Sequence, residues 1–394
     1  MFLTHHARVA DAAPRPDPAL PTPAPSHALH PSAAPPHGLR TTALVPAHNE
    51  AGHIAQTIRS LQTQTRPPDR IVVVADNCTD QTVSLAMRAE AEVFVTGGND
   101  QKKAGALNQA LTYYSAKLGW DEHDLVLVMD ADSSLDPRWV DVALRAFADR
   151  PDLGAVGGVF YGDDRPGLLA QMQRNEFVRY ARQIAVKGGK VAVLTGTATM
   201  FRWTALDAVS RRRPHGHYYD TRALTEDNEI TLALKTLGFG MISPRSCRVY
   251  TETMPTWRDL WHQRLRWQRG ALENLRAYGV TRVTLPYLAQ QAGMAAGVVL
   301  FALYLVVLTS SVLLIGFAWS PVWLAIGGIF LVERLVTVWS AGWRARVVAL
   351  PLVLEMVFDT VLMAVLVRSV ADIALGRKAD WRHARAPEPA PSTP

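Results

Sequence analysis

Two carboxylates set two residues apart, in Asp130-Ala131-Asp132, are the first groups in this chain with an evident chemical use. Around a turn both can reach one divalent cation bridging a diphosphate, and hard oxygen ligands suit Mg2+ or Mn2+. Alone the pair says little. About one such spacing is expected by chance in a chain this long, and a loop with two solvated acids is the plain alternative. Glu226-Asp227, in the run TEDNEI, is a second candidate. Opening a helix, these acids meet the positive end of the peptide dipoles, which favours an ionised carboxylate and makes Asp227 a candidate base. Ordinary capping is the competing reading. Further on, HQRLRWQRG places Gln263, Arg266 and Trp267 at i, i+3 and i+4, on one helical face. Arginine binds phosphate oxygens bidentately and tryptophan offers a flat surface to a sugar ring, although core packing would account for either residue taken singly. Asp76-Asn77 can read the hydrogen-bonding edge of a base or merely cap the next helix. Lys103 can neutralise phosphate charge, with Lys102 beside it as a competitor.

Apolar runs precede most of these groups. Thr42-Ala43-Leu44-Val45-Pro46 leads into the loop AHNE, after which a helix is expected over 50–62. RIVVVADN (70–77) repeats the design, and AEVFVTG (91–97) is a third strand followed by the helix KAGALNQALTYYSAKL. DLVLVMDADSS (124–134) is a fourth, ending in acids. Strands alternating with helices predict an α/β fold with a mainly parallel sheet covered on both faces. Ligands bind such sheets at the carboxyl ends of the strands, where AHNE, ADNCTD and DADSS fall. Beyond lie LGAVGGVFYG, read as one more strand, and a long helix over LLAQMQRNEFVRYARQIAV (168–186). VLTGTATMFR (193–202) is small and hydroxyl-rich between apolar flanks. A strand is expected near Arg248–Thr251 and a helix from about Trp257 to Tyr278. Thr256 and Asp259 form a capping box at its start, and Gly279 is a natural stop.

Charge is distributed unevenly. From Val283 to Val332 there is no Asp, Glu, Lys or Arg, a longer run than the about 20 residues one bilayer crossing needs. Spans are expected within 292–317, at about 321–342 and at about 349–371. The second carries Glu333 and Arg334, the third Glu355 and Asp359 at i, i+4. Charges at that depth usually face protein or a polar cavity. They line a conduit, pair between helices, or mark the third segment as interfacial. Three spans would leave Arg377, Lys378 and Arg382 outside, against the positive-inside tendency. Trp257, Leu260, Trp261, Leu265 and the neighbouring arginines suit a helix in the membrane interface, and packing against the sheet explains the tryptophans equally well.

The net charge of +6 gathers near this region, as expected of cytoplasmic flanks. No nucleic-acid motif accompanies it, so no nucleic-acid partner is expected. Neither GxxxxGK[ST] nor GxGxxG occurs, which argues against nucleoside triphosphate hydrolysis and dinucleotide binding. Residues 1–39, rich in Pro and Ala, cannot bury enough apolar area to order themselves and carry no export signal. The α/β domain is therefore expected in the cytoplasm of a multi-pass inner- or plasma-membrane protein. Cys78 and Cys247 match no metal or redox spacing. The expected organisation is a tail (1–39), an α/β domain (40–255), an interfacial helix (256–285), about three transmembrane helices (286–375) and a second tail (376–394).

Taken in order, PAHNE, ADNCTD, KAGALNQAL, DADS, TGTATMFR, TED and QRLRW resemble family two glycosyltransferases over residues 40–280. Within that family they look most like the membrane-bound processive branch of poly-N-acetylglucosamine, chitin-oligosaccharide, hyaluronan and cellulose synthases. The resemblance implies a GT-A-like nucleotide-sugar-binding domain and inverting transfer from a UDP-sugar. It implies that Asp76 and Asn77 contact the uracil side, with Asn49 and Glu50 nearby, and that Lys103 faces the phosphates. Asp130 would hold the nucleotide and, with Asp132, the metal. Asp227 would deprotonate the acceptor hydroxyl. Gln263, Arg266 and Trp267 would hold diphosphate and acceptor sugar, with Thr195, Gly196, Thr197 and Glu226 beside them. The pattern QRNEFVRYAR points to N-acetylglucosamine as the sugar, and the acceptor is a growing glycan or a lipid. Relatives of this branch generally carry spans ahead of the catalytic domain, and a channel of three spans is thin. An oligomer, an export partner or loss of export would each resolve that. A single-sugar transferase and a catalytically silent sugar-binding subunit are the alternatives.

Overall fold

The computed structural model describes residues 38–316 and 320–377, so the expected tails fall almost wholly outside the described residues. The first part of the chain alternates β1 (Arg40–Ala47), α1 (Ile54–Gln62), β2 (Arg70–Ala75), α2 (Thr82–Arg88), β3 (Glu92–Val95), α3 (Lys102–Leu118) and β4 (Asp124–Met129). Then follow β5 (Ser134–Leu135), α4 (Trp139–Asp149), β6 (Leu153–Gly157), β7 (Val159–Gly162), α5 (Leu168–Val186), β8 (Ala198–Arg202) and α6 (Trp203–Ser210). After these come α7 (Glu226–Thr236), β9 (Gly240–Ile242), β10 (Arg248–Thr251) and α8 (Trp257–Tyr278). The helical remainder is α9 (Leu285–Ile315), α10 (Pro321–Val338), α11 (Trp343–Ala349) and α12 (Leu352–Ala374).

The main sheet has the order β3-β2-β1-β4-β8-β6-β9, and β8 alone among its described strands runs antiparallel to its neighbours. Successive side chains of a strand point to opposite faces. In β1, Ala43 and Val45 therefore pack with α1 and α4, while Leu44 turns to the other side, against α3 and α7. Both faces are buried, as β-branched runs such as RIVVVA predict for a parallel sheet. The mainly parallel α/β fold read from the sequence is the fold found.

The run LGAVGGVFYG, read as one strand, is two. At Gly158 the chain leaves the main sheet and enters a second one of order β5-β10-β7. A Cβ there would lie 2.3 Å from Val249 Cγ2 and 3.1 Å from the Ala198 carbonyl. The crossing is tight because no side chain intervenes. The hydroxyl-rich stretch supplies the TGT loop and then β8, whose antiparallel course the local sequence does not announce.

α8 begins as its capping box predicts, with Thr256 Oγ1 accepting the Asp259 N–H at 3.1 Å, and ends at Gly279 with φ +66°. Leu260 on this helix is buried with Met172 and Phe358. α12 packs along α8, and Arg269 of α8 hydrogen-bonds the Arg377 carbonyl beyond the end of α12. Two stretches, Leu285–Leu314 and Trp323–Ala341, are long and apolar enough to cross a membrane. α11 and α12 reach that standard only as a pair, and the chain bends by 79° between them. The expected third span is thus broken near Pro351. Its charges pair between helices: Glu355 with Arg179 of α5 at 2.7 Å, and Asp359 with Arg334 of α10.

Gly158→Ala should destabilise the fold by about 1–3 kcal/mol through overpacking at the crossing. Denaturant unfolding followed by far-UV circular dichroism checks it, and an unchanged midpoint would show that Val249 yields freely.

Candidate active site

The carboxyl ends of β1, β2 and β4 open into a cleft of about 720 Å³. On its β2 side the buried Asp76 accepts at Oδ1 from Thr96 Oγ1 (2.8 Å), Asn99 Nδ2 (2.9 Å) and Asn77 Nδ2 (3.2 Å). No hydrogen bond reaches its Oδ2 from the described residues. One carboxylate oxygen, oriented by donors on the other, is left to accept a ligand N–H. Asn77 also donates to the Asn99 carbonyl at 2.8 Å, and His48 Nδ1 lies 2.7 Å from the Asp76 carbonyl. Glu50 lines the cleft; Asn49 does not. With φ +58°, Asn49 turns its Oδ1 to accept the N–H groups of Thr79 (2.7 Å) and Asp80 (3.3 Å). The place expected for Asn49 near a base is thus not found; its side chain braces the first rim loop against the second.

At the centre, Lys103 Nζ lies 2.6 Å from Asp130 Oδ1 and 2.8 Å from Glu226 Oε1, while Lys102, its competitor, also lines the cleft. Asp227 accepts the Gly196 N–H at Oδ2 (3.1 Å) and the Asn228 N–H at Oδ1 (2.7 Å). A Cβ on Gly196 would sit 3.2 Å from Lys103 Nζ, 3.4 Å from Asp227 Oδ2 and 3.6 Å from Asp130 Oδ2. Three charged groups therefore meet over one glycine. The TGT loop is tied to β4 by the Asp130 N–H donating to the Thr197 carbonyl (3.2 Å), and Thr197 Oγ1 donates to Thr195 Oγ1 (3.0 Å).

The two adjacent acids at the start of α7 behave differently. Burial pushes the Glu226 carboxyl up, but the Lys103 ammonium outweighs it and leaves Glu226 below its usual range. Asp227, desolvated and beside the Glu226 charge, is pushed up to about 6. At Asp227 desolvation and a like charge thus oppose the helix dipole that favours the ionised carboxylate. Burial also raises Asp130, with Lys103 opposing. Asp132 is pushed up to about 7 by burial and by the charges of Asp130 and Glu50. Excess negative charge on hard oxygens at Asp132 fits a divalent cation.

α8 forms the facing wall with Gln263, Arg266 and Trp267. Gln263 Oε1 is buried without a hydrogen-bond partner among the described residues, and the Arg266 charge acts on both Asp130 and Glu226. Trp267 is 37 % exposed. α8 is registered on α7 by Gly270, where a Cβ would lie 2.4 Å from Thr225 Oγ1. Asn274 Nδ2 adds hydrogen bonds to the Thr225 carbonyl (3.2 Å) and Asn228 Oδ1 (2.9 Å). Phe160, Phe177, Tyr180 and Met254 also line the cleft and were not anticipated. Only Phe177 and Tyr180 left a signal, their i, i+3 spacing in FVRYAR.

Comparison with known proteins bears on the family and the fold. The family described as "Glycosyltransferase like family 2" matches residues 36–270. The chain is 25 % identical over 240 residues to the poly-beta-1,6-N-acetyl-D-glucosamine synthase of Staphylococcus aureus, covering 59 % of this chain and 55 % of that one. It is 27 % identical over 246 residues to the probable glycosyltransferase YdaM of Bacillus subtilis, with the same coverage. The match spans only about half the length of these relatives. Among solved structures, a mannosyltransferase from Pyrobaculum calidifontis in complex with GDP-Man and Mn2+ superposes with a TM-score of 0.58 at 18 % identity. That superposition covers 87 % of this chain and 89 % of the other, and it extends the likeness of fold into the helical region.

The raised acids make a signed prediction. Asp132 (about 7) and Asp227 (about 6) lie above their unfolded value of 3.8, so the folded chain holds more protons across that window. Stability in chelator should therefore fall as pH rises from about 4 to about 7. Thermal unfolding of detergent-solubilised protein checks it, and Asp132→Asn should flatten the slope. A slope of the opposite sign would contradict the electrostatics.

Proposed function

The chain belongs to glycosyltransferase-like family 2, and from that premise we propose that it is a membrane-integrated inverting enzyme. In this reading it moves N-acetylglucosamine from UDP-N-acetylglucosamine to the end of a growing β-linked glycan, with its α/β domain in the cytoplasm. The observation that carries the reading is the meeting of Asp227, Asp130 and Lys103 over Gly196, in the cleft that α8 closes. The choice of sugar rests on QRNEFVRYAR and on the named activity of the Staphylococcus aureus relatives.

Asp76 accepts the uracil N–H at Oδ2. Lys103 and Arg266 face the diphosphate, and Trp267 and Gln263 hold the acceptor sugar. Asp227 takes the proton from the acceptor hydroxyl as that oxygen forms its bond to the anomeric carbon; the bond to UDP breaks on the opposite face. A group titrating near 6 is mostly ionised at neutral pH yet still basic enough for that proton, which the more strongly acidic Glu226 would be less able to hold. Asp132, with Asp130, would hold Mg2+ or Mn2+, which would neutralise charge on the leaving diphosphate.

A second reading, transfer of one sugar to a lipid or short acceptor, has an observation of its own. Arg334, Glu355 and Asp359 are engaged in ion pairs, which favours pairing between helices over the lining of a glycan conduit. Product sizing separates the two: a ladder of lengths for the first, one discrete adduct for the second.

Asp227→Asn should lower UDP release from UDP-N-acetylglucosamine by about 10²- to 10⁴-fold, the range a lost general base commonly costs. UDP affinity, measured by titration calorimetry, should stay within about threefold, because no donor contact is assigned to Asp227. A large loss of UDP affinity would refute the assignment. Trp267→Ala should raise the acceptor KM and spare donor binding; equal losses in both would remove the platform role.

A further inference from the structure

Trp267 does not rest on a bare helix surface. The Arg264 guanidinium lies 4.3 Å from its ring centroid and 5.5 Å from that of Phe177. Arg264 is 5 % exposed, and its Nε and Nη1 have no hydrogen-bond partner among the described residues. The two aromatic faces stand in for those partners, the geometry in which a desolvated guanidinium gains most from ring electrons. Its remaining nitrogen, Nη2, is fixed by Glu176 Oε2 of α5 at 2.6 Å.

The charges continue past Glu176. Arg179, one helical turn along α5, acts on Glu176 electrostatically and pairs with Glu355 of α12 at 2.7 Å. Glu355, 4 % exposed, also lies 3.7 Å from Arg334 of α10, which pairs with Asp359. Signs alternate along the whole series, from Arg264 through Glu176, Arg179, Glu355 and Arg334 to Asp359. Removing a partner of Arg264 or Glu355, the two most buried members, leaves a buried charge less compensated, which costs more than a surface pair would. The series joins α8, α5, α12 and α10.

We infer that Arg264 is a positioning residue for the Trp267 ring and that the charge series through Glu176, Arg179 and Glu355 fixes this ring to the membrane helices. The inference rests on the assignment of Trp267 to the acceptor and adds what sets its angle. The series approaches the cleft from the α8 side, and none of its members belongs to the Asp76, Lys103 and Asp130 cluster assigned to the donor. Among the donor contacts only Arg266 shares α8 with the series, so a change in the series should reach acceptor binding more strongly than donor binding.

The test uses the full chain in detergent with Mn2+, UDP-N-acetylglucosamine as donor and a β-linked N-acetylglucosamine trimer as acceptor. Arg264→Gln should raise the acceptor KM about tenfold, in line with a desolvated cation–π contact, and weaken UDP binding by a clearly smaller factor. Glu355→Gln, outside the cleft, should raise the acceptor KM in the same direction by a smaller factor. Hydrogen exchange provides an arm that needs no turnover: amides of 260–268 should exchange faster in Glu355→Gln, with those of 124–132 unchanged. If the trimer is not an acceptor, the proposed reaction fails while the exchange result still decides this inference. Equal loss of donor and acceptor binding in Arg264→Gln would overturn it. Should that variant bind no UDP at all, Glu355→Gln decides, and unaltered exchange over 260–268 overturns the inference.

Discussion

A single ammonium group makes the site tenable. Asp130, Asp132, Glu226 and Asp227 crowd one cleft, and Lys103 bridges two of them at hydrogen-bonding distance. Its charge opposes the burial that raises Asp130, Glu226 and Asp227, with Arg266 acting beside it on Asp130 and Glu226. Glu226 is held below its usual range, and Asp227 stays raised to about 6. The division of labour between chemically similar neighbours follows from where one lysine sits at the start of α3. The sheet serves this arrangement by delivering the ends of β1, β2 and β4 to one rim and the TGT loop between them and α7.

Much of this could be read from the chain beforehand. The strand–helix alternation to Met129 was legible because both buried faces force apolar runs, and each run ended in its polar loop. The α8 boundaries were legible because Thr256, Asp259 and Gly279 satisfy backbone groups locally. What escaped reading depends on distant partners. β8 pairs between β4 and β6, and nothing in ATMFR says which way it runs. The break at Gly158 is dictated by Val249, about ninety residues away. The resemblance set Asn49 near the uracil, yet its side chain serves Thr79 and Asp80. The splitting of Glu226 from Asp227 was invisible because helix position alone treats the two alike.

α8 works on several sides at once. One side presents Gln263, Arg266 and Trp267 to the cleft; Gly270 and Asn274 lock it to α7; Leu260 and Arg269 meet α12 and the residue that follows it. A helix so constrained transmits a shift on any side to the others, since packed interfaces do not deform smoothly. The basic residues that seemed destined for lipid headgroups are partly spent inside, Arg264 on Glu176 and Arg269 on Glu273.

The 79° bend ahead of α12 also bears on which way the chain faces. If only the two long apolar helices cross, the even number returns the polypeptide to the side it started from. α12 then runs back over α8, and Arg377 is fastened there by Arg269. The basic residue closing the described chain is thereby held against the helix that walls the cleft. Three crossings would set Arg377 against the charge bias of membrane insertion, and a count of two would not.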